Sequence, residues 1–385
     1  MRDYADINHT YEVHANIFST CLIVLLFCMF YKPAFTVTMI LFFLFVLETR
    51  TICGHFSIKK VLKEQKGMVV LFSAILLAAC GTAHLDNVEV ALNMIYYTLP
   101  FFMLTYASKV ANIKKGILAG LVIVVIAGTV CVAYEWLIMN VNRPFGLLRH
   151  PNNCALCMAM IMPLFMYYAY ECKSSFLKLC NIAMIGLCIF SFLLVKSRGV
   201  NIAMVACITL LSTFYLYKKN RNVGIILALG VPCLLYIYHN ELLAFLHRGY
   251  DGERLLLYRA SIKMWLDYPI FGTGFADWRN LYNGPYYPVG AKEYLIHSHN
   301  TYLHMLSAAG VVGLLGYLYF LHSFVIKCIS NIKDGYYYAL VGLSAFIVFI
   351  LHSFVDSSFS IKYVQRFFWL MFFIYQYSEM ERVDG

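Results

Sequence analysis

Three histidines and an asparagine stand together at the start of a long apolar run, in the stretch IHSHNTYLHMLSAAGVVG (296–313). A histidine side chain titrates near neutral pH, so it can accept a proton from an alcohol under physiological conditions. His299 is predicted to be this general base. In an extended segment, residues two positions apart share a face, so His297 is placed to orient the base or to contact a phosphate. Asn300 is placed to hold an imidazole ring or an acceptor hydroxyl.

Arginines in two other regions have side chains suited to phosphate. Arg198 lies in the stretch VKSRGVN, and Arg254 and Arg259 lie in GERLLLYRASIKMWLDYPIFGTG (252–274). The planar guanidinium group binds phosphate oxygens in pairs, so Arg198 and Arg254 are predicted to hold a pyrophosphate. Five residues along a helix leave side chains roughly 140° apart, so Arg254 and Arg259 point in different directions. Arg254, on the same side as Tyr258, is the predicted ligand, and Arg259 is predicted to make a surface contact.

A fourth polar stretch, RPFGLLRHPNNCA (143–155), precedes another apolar segment. Asn152 and Asn153 are predicted to support the site, although asparagines at a helix start also serve as ordinary caps. The arginines have alternatives too, since an arginine at a helix end often reaches lipid phosphate. A helix with two arginines can also be only a surface lid. No carboxylate or cysteine joins the histidines at metal-ligand spacing, so neither a metal nor any other cofactor is predicted.

The composition determines the class of protein that must position these residues. The chain has 385 residues, of which 61% are hydrophobic and 13% are charged, and its mean hydropathy is +0.70. Soluble proteins average about 25% charged residues, so this chain lacks the polar surface for a soluble fold. Residues 1–385 are therefore predicted to form a single integral membrane domain. The 13 cysteines are scattered singly, which is typical of a membrane core rather than of a disulfide framework.

The apolar segments predict an all-α polytopic protein with about 12 transmembrane helices. Lysines and arginines mark the cytoplasmic connections and place both termini inside. One large loop, residues 239–299, is then predicted to face the periplasm. It should contain a helix that begins after Gly252 and stops before Pro269 and the Gly272/Gly274 pair. The predicted spans are about 17–31, 34–47, 67–85, 89–107, 116–139, 154–170, 177–195, 200–217, 222–238, 301–326, 337–355 and 363–378.

This topology brings the four polar regions to one membrane face. Arg198, Asn152 and Asn153 lie at the outward ends of spans, and Arg254, Arg259, Tyr258, His297 and His299 lie in the outer loop. The spans themselves are almost free of charge. A transporter, such as a lipid-linked sugar flippase, usually needs polar groups at mid-membrane depth. The distribution therefore favours an enzyme over this non-enzymatic alternative.

Several of these stretches resemble the superfamily of O-antigen ligases and O-antigen polymerases. His299-Asn300, followed after nine residues by Gly310-Val-Val-Gly313, is similar to the His-Asn…Gly-x-x-Gly signature of the O-antigen ligase family. ERLLLYRASIKMWLDYPIFGTG resembles an Arg-x-x-x-(Trp/Tyr) helix that is followed by a Pro and a Gly-x-Gly turn. KSRG and RPFGLLRHPNNCA resemble two shorter elements of the same superfamily. The likeness covers roughly residues 140–330.

The resemblance implies a GT-C-like glycosyltransferase of a bacterial inner membrane, with its active site facing the periplasm. Such an enzyme takes a glycan from undecaprenyl pyrophosphate without a metal. A ligase passes it to lipid A-core, and a polymerase passes it to another lipid-linked glycan; both alternatives remain open. Direct displacement would invert the anomeric centre. The implied partners are the lipid-linked donor, the acceptor and membrane lipids, and no feature of the sequence indicates nucleic acid.

Overall fold

The computed structural model describes residues 62–110, 112–148, 150–219, 251–334, 336 and 338–380, together with 12–21, 23, 24 and 40. Within these residues the chain is helical and contains no strand, as the sequence predicts. The helices after residue 61 are α1 (Lys66–Gly81), α2 (Leu85–Tyr96), α3 (Leu99–Val110), α4 (Lys114–Leu137), α5 (Pro151–Glu171), α6 (Ser175–Leu194), α7 (Arg198–Lys219), α8 (Asp251–Asp267), α9 (Trp278–Tyr282), α10 (Thr301–Lys333), α11 (Tyr338–His352) and α12 (Lys362–Met380).

Four helices are long and apolar enough to cross a membrane: α4, α5, α6 and α10. Three shorter apolar helices are Lys66–Gly81, Arg198–Thr209 and Tyr338–His352. A span of the hydrocarbon core takes about 20 helical residues, so the 15 residues of α11 are short for one. The predicted count of 12 spans is therefore not confirmed. The predicted spans 34–47 and 222–238, and loop residues 239–250, lie outside the described residues apart from residue 40.

One predicted span is not a continuous helix. The segment predicted at 89–107 consists of two short helices, α2 and α3, separated at Tyr97 and Thr98. Tyr97 lies over the guanidinium group of Arg366 in α12, with 4.5 Å between the guanidinium carbon and the ring centroid. Hydropathy cannot detect such a break, because apolar side chains continue on both sides of it.

α12 is the central helix of the bundle. From Val364 to Gln376 every residue is buried, and phenylalanines and Trp369 supply most of its volume. A helix that is hydrophobic on all sides is expected at the centre of a bundle. It packs against α3, α5 and α11, which carry the loops that form the site described below.

The helices alternate in direction, so their connections gather at two ends of the bundle. One end holds the connections at 82–84, 138–150, 195–197 and 353–361 and the start of α10. The opposite end carries a set of lysines. These are Lys66, Lys114, Lys115, Lys173, Lys178 and Lys333.

The 33-residue helix α10 is broken at Gly310, which has φ 64° and ψ −166°. The segment that follows α8 crosses the helix at this break. Val311 donates its backbone N–H to the Pro269 carbonyl at 2.9 Å, and the Gly274 N–H donates to the Ala308 carbonyl at 2.8 Å. A Cβ at Gly310 would collide with the Ile270 carbonyl. The Gly-x-x-Gly motif therefore opens the helix so that the Pro-x-x-Gly-x-Gly segment can pair with its backbone.

We expect Gly310→Ala to lower the free energy of unfolding by more than about 2 kcal/mol, because alanine is strained in the left-handed region and its Cβ meets backbone. Thermal unfolding of the purified protein in detergent measures the effect. Gly186→Ala in α6 is the matched control, because an added Cβ there meets nothing within 4 Å. Equal unfolding midpoints for Gly310→Ala and the wild type would show that the break does not require glycine.

The predicted loop helix is confirmed as α8, which ends at Asp267, two residues before Pro269. Its predicted start after Gly252 is wrong, because the helix already includes Asp251 and Gly252. One face of α8 buries Leu257, Ala260 and Met264 against Trp278 and Tyr282 of α9 and against Ala308 of α10. The spacing of three and four residues puts these side chains on one side of the helix. This small second core fixes α8 over the start of α10.

Candidate active site

His299 lies beside a buried carboxylate. Its Nδ1 is 3.3 Å from Oδ1 of Asp356, and the side chains of the two residues are 22% and 0% exposed. Burial raises the pKa of Asp356, but the hydrogen bond from His299 and the charges of neighbouring imidazoles together outweigh it and hold this pKa well below its usual range. An ionised carboxylate only accepts hydrogen bonds, so Nδ1 of His299 carries the proton. Nε2 is then the basic nitrogen.

The Asp356 carboxylate is held by three elements. Oδ1 accepts the backbone N–H of Ser357 at 2.8 Å, and Oδ2 accepts Nδ2 of Asn152, at the start of α5, at 2.9 Å. The main chain is fixed as well, because the hydroxyl of Thr301 in α10 donates to the Asp356 carbonyl at 3.0 Å. These bonds compensate a buried charge and fix the direction of the carboxylate toward His299.

Asn152 connects this pair to the turn that contains Arg198. Its Oδ1 accepts hydrogen bonds from the Ser197 hydroxyl at 3.1 Å and from the guanidinium group of Arg143. Arg198, half-buried, is the first residue of α7. The next residue, Gly199, packs so closely on Val355 that a Cβ would collide with it. The Arg198 turn and the His299 turn therefore lie at the same end of the bundle.

α8 contributes the predicted arginine region. Tyr258 directs its hydroxyl at the carbonyls of His299 and Phe354, at 3.3 and 3.4 Å. One turn earlier, the half-buried Arg254 lies close enough to His352 to interact with it electrostatically. No carboxylate among the described residues pairs with Arg254. Arg259 is exposed, which agrees with the prediction that it points in a different direction from Arg254.

His297 packs against the ring of His299, with 4.5 Å between centroids and an angle of 73° between planes. Burial, together with the neighbouring His299, lowers the pKa of His297 to about 4. At neutral pH His297 is therefore uncharged, which favours the predicted orienting role over binding of phosphate by a cation. Burial also lowers the pKa of His150, so this neighbouring imidazole adds no positive charge at neutral pH.

A carboxylate lies beside the histidines in the folded chain, although none lies at metal-ligand spacing from them in the sequence. One ligand atom each from His297, His299 and Asp356 lies within 4.8 Å of the other two, an arrangement able to hold a divalent cation. The carboxylate comes from a position 57 residues beyond His299 in the chain, so no sequence spacing reveals it. The same carboxylate is already hydrogen-bonded to His299, which is the arrangement of a general base.

Two predicted supporting residues have mainly structural contacts. Asn300 caps α10, because its Oδ1 accepts the Leu303 N–H at 3.0 Å, and its Nδ2 donates to the Phe354 carbonyl at 3.0 Å. These bonds fix the His299 turn rather than an imidazole ring. Asn153 is buried in α5, and its Oδ1 has no hydrogen-bond partner among the described residues.

The sequence analysis missed Asp356, His352 and Ser357, which lie in LHSFVDSSFS (351–360). A signal was present, because Asp356 is the one acidic residue between positions 335 and 378. An acid beside apolar spans is costly and usually functional. The predicted span 337–355 includes His352, and Asp356 and Ser357 fall in the short connection to the predicted span 363–378.

The fold and the site together define a class of protein. A helical bundle with membrane-spanning helices carries a half-buried histidine, oriented by a buried carboxylate, beside arginines at one of its ends. Such a molecule is a membrane protein whose histidine–carboxylate pair is suited to accept a proton.

Residues 183–318 match the model of the O-antigen ligase family. This match confirms the resemblance to the O-antigen ligase and polymerase superfamily, whose members are glycosyltransferases that use lipid-linked glycans. The matched region contains Arg198, Arg254, His297 and His299, whereas Asn152 and Asp356 lie outside it. No curated protein matches the chain.

Proposed function

We propose that the protein is an O-antigen ligase-type glycosyltransferase that moves a glycan from undecaprenyl pyrophosphate to lipid A-core. The single observation that carries the proposal is the pairing of His299 with the buried Asp356. The end of the bundle that carries this pair is proposed to face the periplasm of the bacterial inner membrane. The lysines at the opposite end support this orientation, since basic residues favour the cytoplasmic side.

His299 is proposed to act as the general base. Its Nε2 takes the proton of the acceptor hydroxyl while the oxygen attacks the anomeric carbon. The bond from that carbon to the pyrophosphate oxygen breaks, and undecaprenyl pyrophosphate leaves with the electron pair. Asp356 stabilises the imidazolium that forms, as a buried carboxylate does in other acid–base pairs. Direct displacement inverts the anomeric configuration.

Arg254 and Arg198 are proposed to balance the charge of the pyrophosphate. Arg254 has no carboxylate partner among the described residues, so its guanidinium group is available for phosphate oxygens. The reaction is proposed to need no metal, because Asp356 is used to orient His299 and the arginines supply positive charge. Full activity after prolonged treatment with a chelator is the expected result, and loss of activity that a divalent cation restores would contradict this part.

Arg254→Ala is expected to lower transfer about 10- to 100-fold, because one charge-assisted contact with the leaving group is lost. Arg254→Lys should recover only part of the rate, since lysine lacks the planar fork. Arg259→Ala, on the same helix but exposed, is the matched control and should behave as the wild type. Transfer rates of the purified proteins measure the effect, and equal losses for both alanine variants would remove Arg254 from the site.

Complementation of defined strains tests the proposed acceptor. In a strain without a ligase, the protein should restore attachment of glycan to lipid A-core, visible as a lipopolysaccharide ladder on a gel. In a ligase-competent strain without a polymerase, it should not restore long chains. Long chains in the second strain, with no attachment in the first, would show a polymerase and contradict the ligase proposal.

A further inference from the structure

A cavity of about 670 Å³ lies at the same end of the bundle as the candidate active site. It is formed by the turn between α1 and α2, by the segment after α8, and by α9. Ligand pockets in proteins have volumes of about 300–1,000 Å³, so this cavity is large enough for a small molecule or a sugar residue. None of the residues described above as the candidate active site lines it.

The polar wall of the cavity is a preformed hydrogen-bond network. Asp277 is the central group. Its Oδ2 accepts Nδ2 of Asn87 at 2.8 Å and lies 3.1 Å from Nδ1 of His84. Asn87 in turn accepts the backbone N–H of Ala276 at 2.8 Å. Because these contacts hold the carboxylate in place, a ligand would not have to order it.

Two polar groups at the cavity have unused hydrogen-bonding capacity. Oδ1 of Asp277 and the side-chain amide of Asn280 have no hydrogen-bond partner among the described residues. A carboxylate oxygen accepts hydroxyl protons, and an amide both donates and accepts. The aromatic rings of Tyr268 and Phe271 line the cavity as well, and such rings can cover the C–H face of a pyranose.

The chemistry of the lining selects among ligands. No lysine or arginine lines the cavity, and Asp277 places a carboxylate in its wall. A phosphate would be repelled, and a lipid chain would leave the carboxylate unsolvated. A neutral sugar fits both the free hydrogen-bonding groups and the aromatic rings.

The cavity is joined rigidly to the His299 turn. Trp278, next to Asp277, donates its indole N–H to the Ser307 hydroxyl at 2.8 Å, and Thr273 of the cavity donates its backbone N–H to the Ser307 carbonyl at 2.9 Å. Ser307 lies seven residues after Asn300 in α10, which is about 10 Å of helix. The cavity therefore has a fixed position relative to the His299 turn.

We propose that this cavity is a carbohydrate subsite, which binds a neutral sugar residue of the glycan away from the reacting carbon. The proposal rests on the proposed function for the identity of the ligand, and it assigns Asp277 and Asn280 as the hydrogen-bonding residues. These are binding residues that determine which glycan is accepted, with no part in the proton transfer.

Binding of a lipid-free oligosaccharide to the full chain in nanodiscs tests the subsite. The probe is the oligosaccharide that mild acid releases from the lipid-linked pool of the expressing strain, and saturation-transfer NMR with titration measures its affinity. Asn280→Trp should lower the affinity at least tenfold, because the indole fills the cavity without removing a contact between described residues. Asp277→Asn should lower it about tenfold through loss of a charge-assisted hydrogen bond. Glu293→Gln in the same loop is the control and should bind as the wild type.

His299→Ala separates this subsite from the proposed function, because it should lose transfer and keep the affinity for the oligosaccharide. Wild-type affinity in both Asn280→Trp and Asp277→Asn, or no saturable binding by the wild type, would overturn the subsite and leave the proposed function standing. Full transfer by His299→Ala would remove His299 from the chemistry and leave the subsite untouched. No transfer by the wild type in either complemented strain, with binding still lost in the cavity variants, would overturn the proposed function alone. Unfolding midpoints equal to that of the wild type confirm that each variant is folded.

Discussion

Replacement of His299 by alanine should lower the transfer rate by about 10²–10⁴-fold while the protein remains folded in the membrane. This magnitude is typical for the loss of a general base. The loss of rate is expected to come from the loss of Nε2, because Nδ1 is hydrogen-bonded to Asp356 and cannot accept the proton of the hydroxyl. The measurement is the initial rate of transfer by purified protein at saturating donor.

The control for His299→Ala is His322→Ala, which removes an exposed imidazole from the other half of α10. This variant should transfer glycan at the wild-type rate. A wild-type lipopolysaccharide ladder from cells that carry only His299→Ala would remove His299 from the chemistry. Equal losses in both variants would mean that the effect comes from the fold of α10.

Asp356→Asn is expected to lower transfer by a similar factor, about 10²–10⁴-fold, although it changes almost nothing in shape. The neutral amide cannot stabilise an imidazolium, and it no longer fixes the proton on Nδ1 of His299. Both carboxylate oxygens also accept N–H groups, Oδ1 from Ser357 at 2.8 Å and Oδ2 from Asn152 at 2.9 Å. The NH₂ of the new amide therefore faces a donor in either orientation, which weakens the support of the His299 ring.

A double-mutant cycle distinguishes this role from simple destabilisation. If Asp356 acts through His299, the double variant His299→Ala/Asp356→Asn should be no slower than His299→Ala alone. Losses that multiply would contradict the pairing. Asn152→Ala should give a smaller loss than Asp356→Asn, because it removes one bond that orients the carboxylate and leaves the charge.

Local features of the site could be predicted from the sequence because they depend on neighbours along the chain. The end of α8 before Pro269 follows from turn chemistry, and the different directions of Arg254 and Arg259 follow from the helical repeat. Both arguments need only the geometry of one segment. His297 and His299 do lie side by side, but the extended stretch predicted for them is not observed: the chain bends there, and His299 has φ 48°.

The partners of His299 could not be predicted, because they depend on how the helices pack. Asp356 and Asn152 come from two other connections, and apolar spans give no pattern that tells which of them are neighbours. The break in α10 shows the same limit. The Gly310 motif was visible, but its pairing with the segment at 269–274 requires two distant stretches to meet. The separation of α2 from α3 escaped detection for a related reason, since hydropathy averages over a short interruption.

The most direct test determines on which side of the membrane the residues around the site lie. Single cysteines at the exposed positions Lys196, Lys292 and Lys173 can be labelled with a membrane-impermeant maleimide in cells with a permeabilised outer membrane. The unsubstituted protein, with its native cysteines, gives the background. Lys196→Cys and Lys292→Cys should react in intact cells, and Lys173→Cys only after the inner membrane is opened. Reaction of positions 196 and 292 from opposite compartments would contradict a shared periplasmic site.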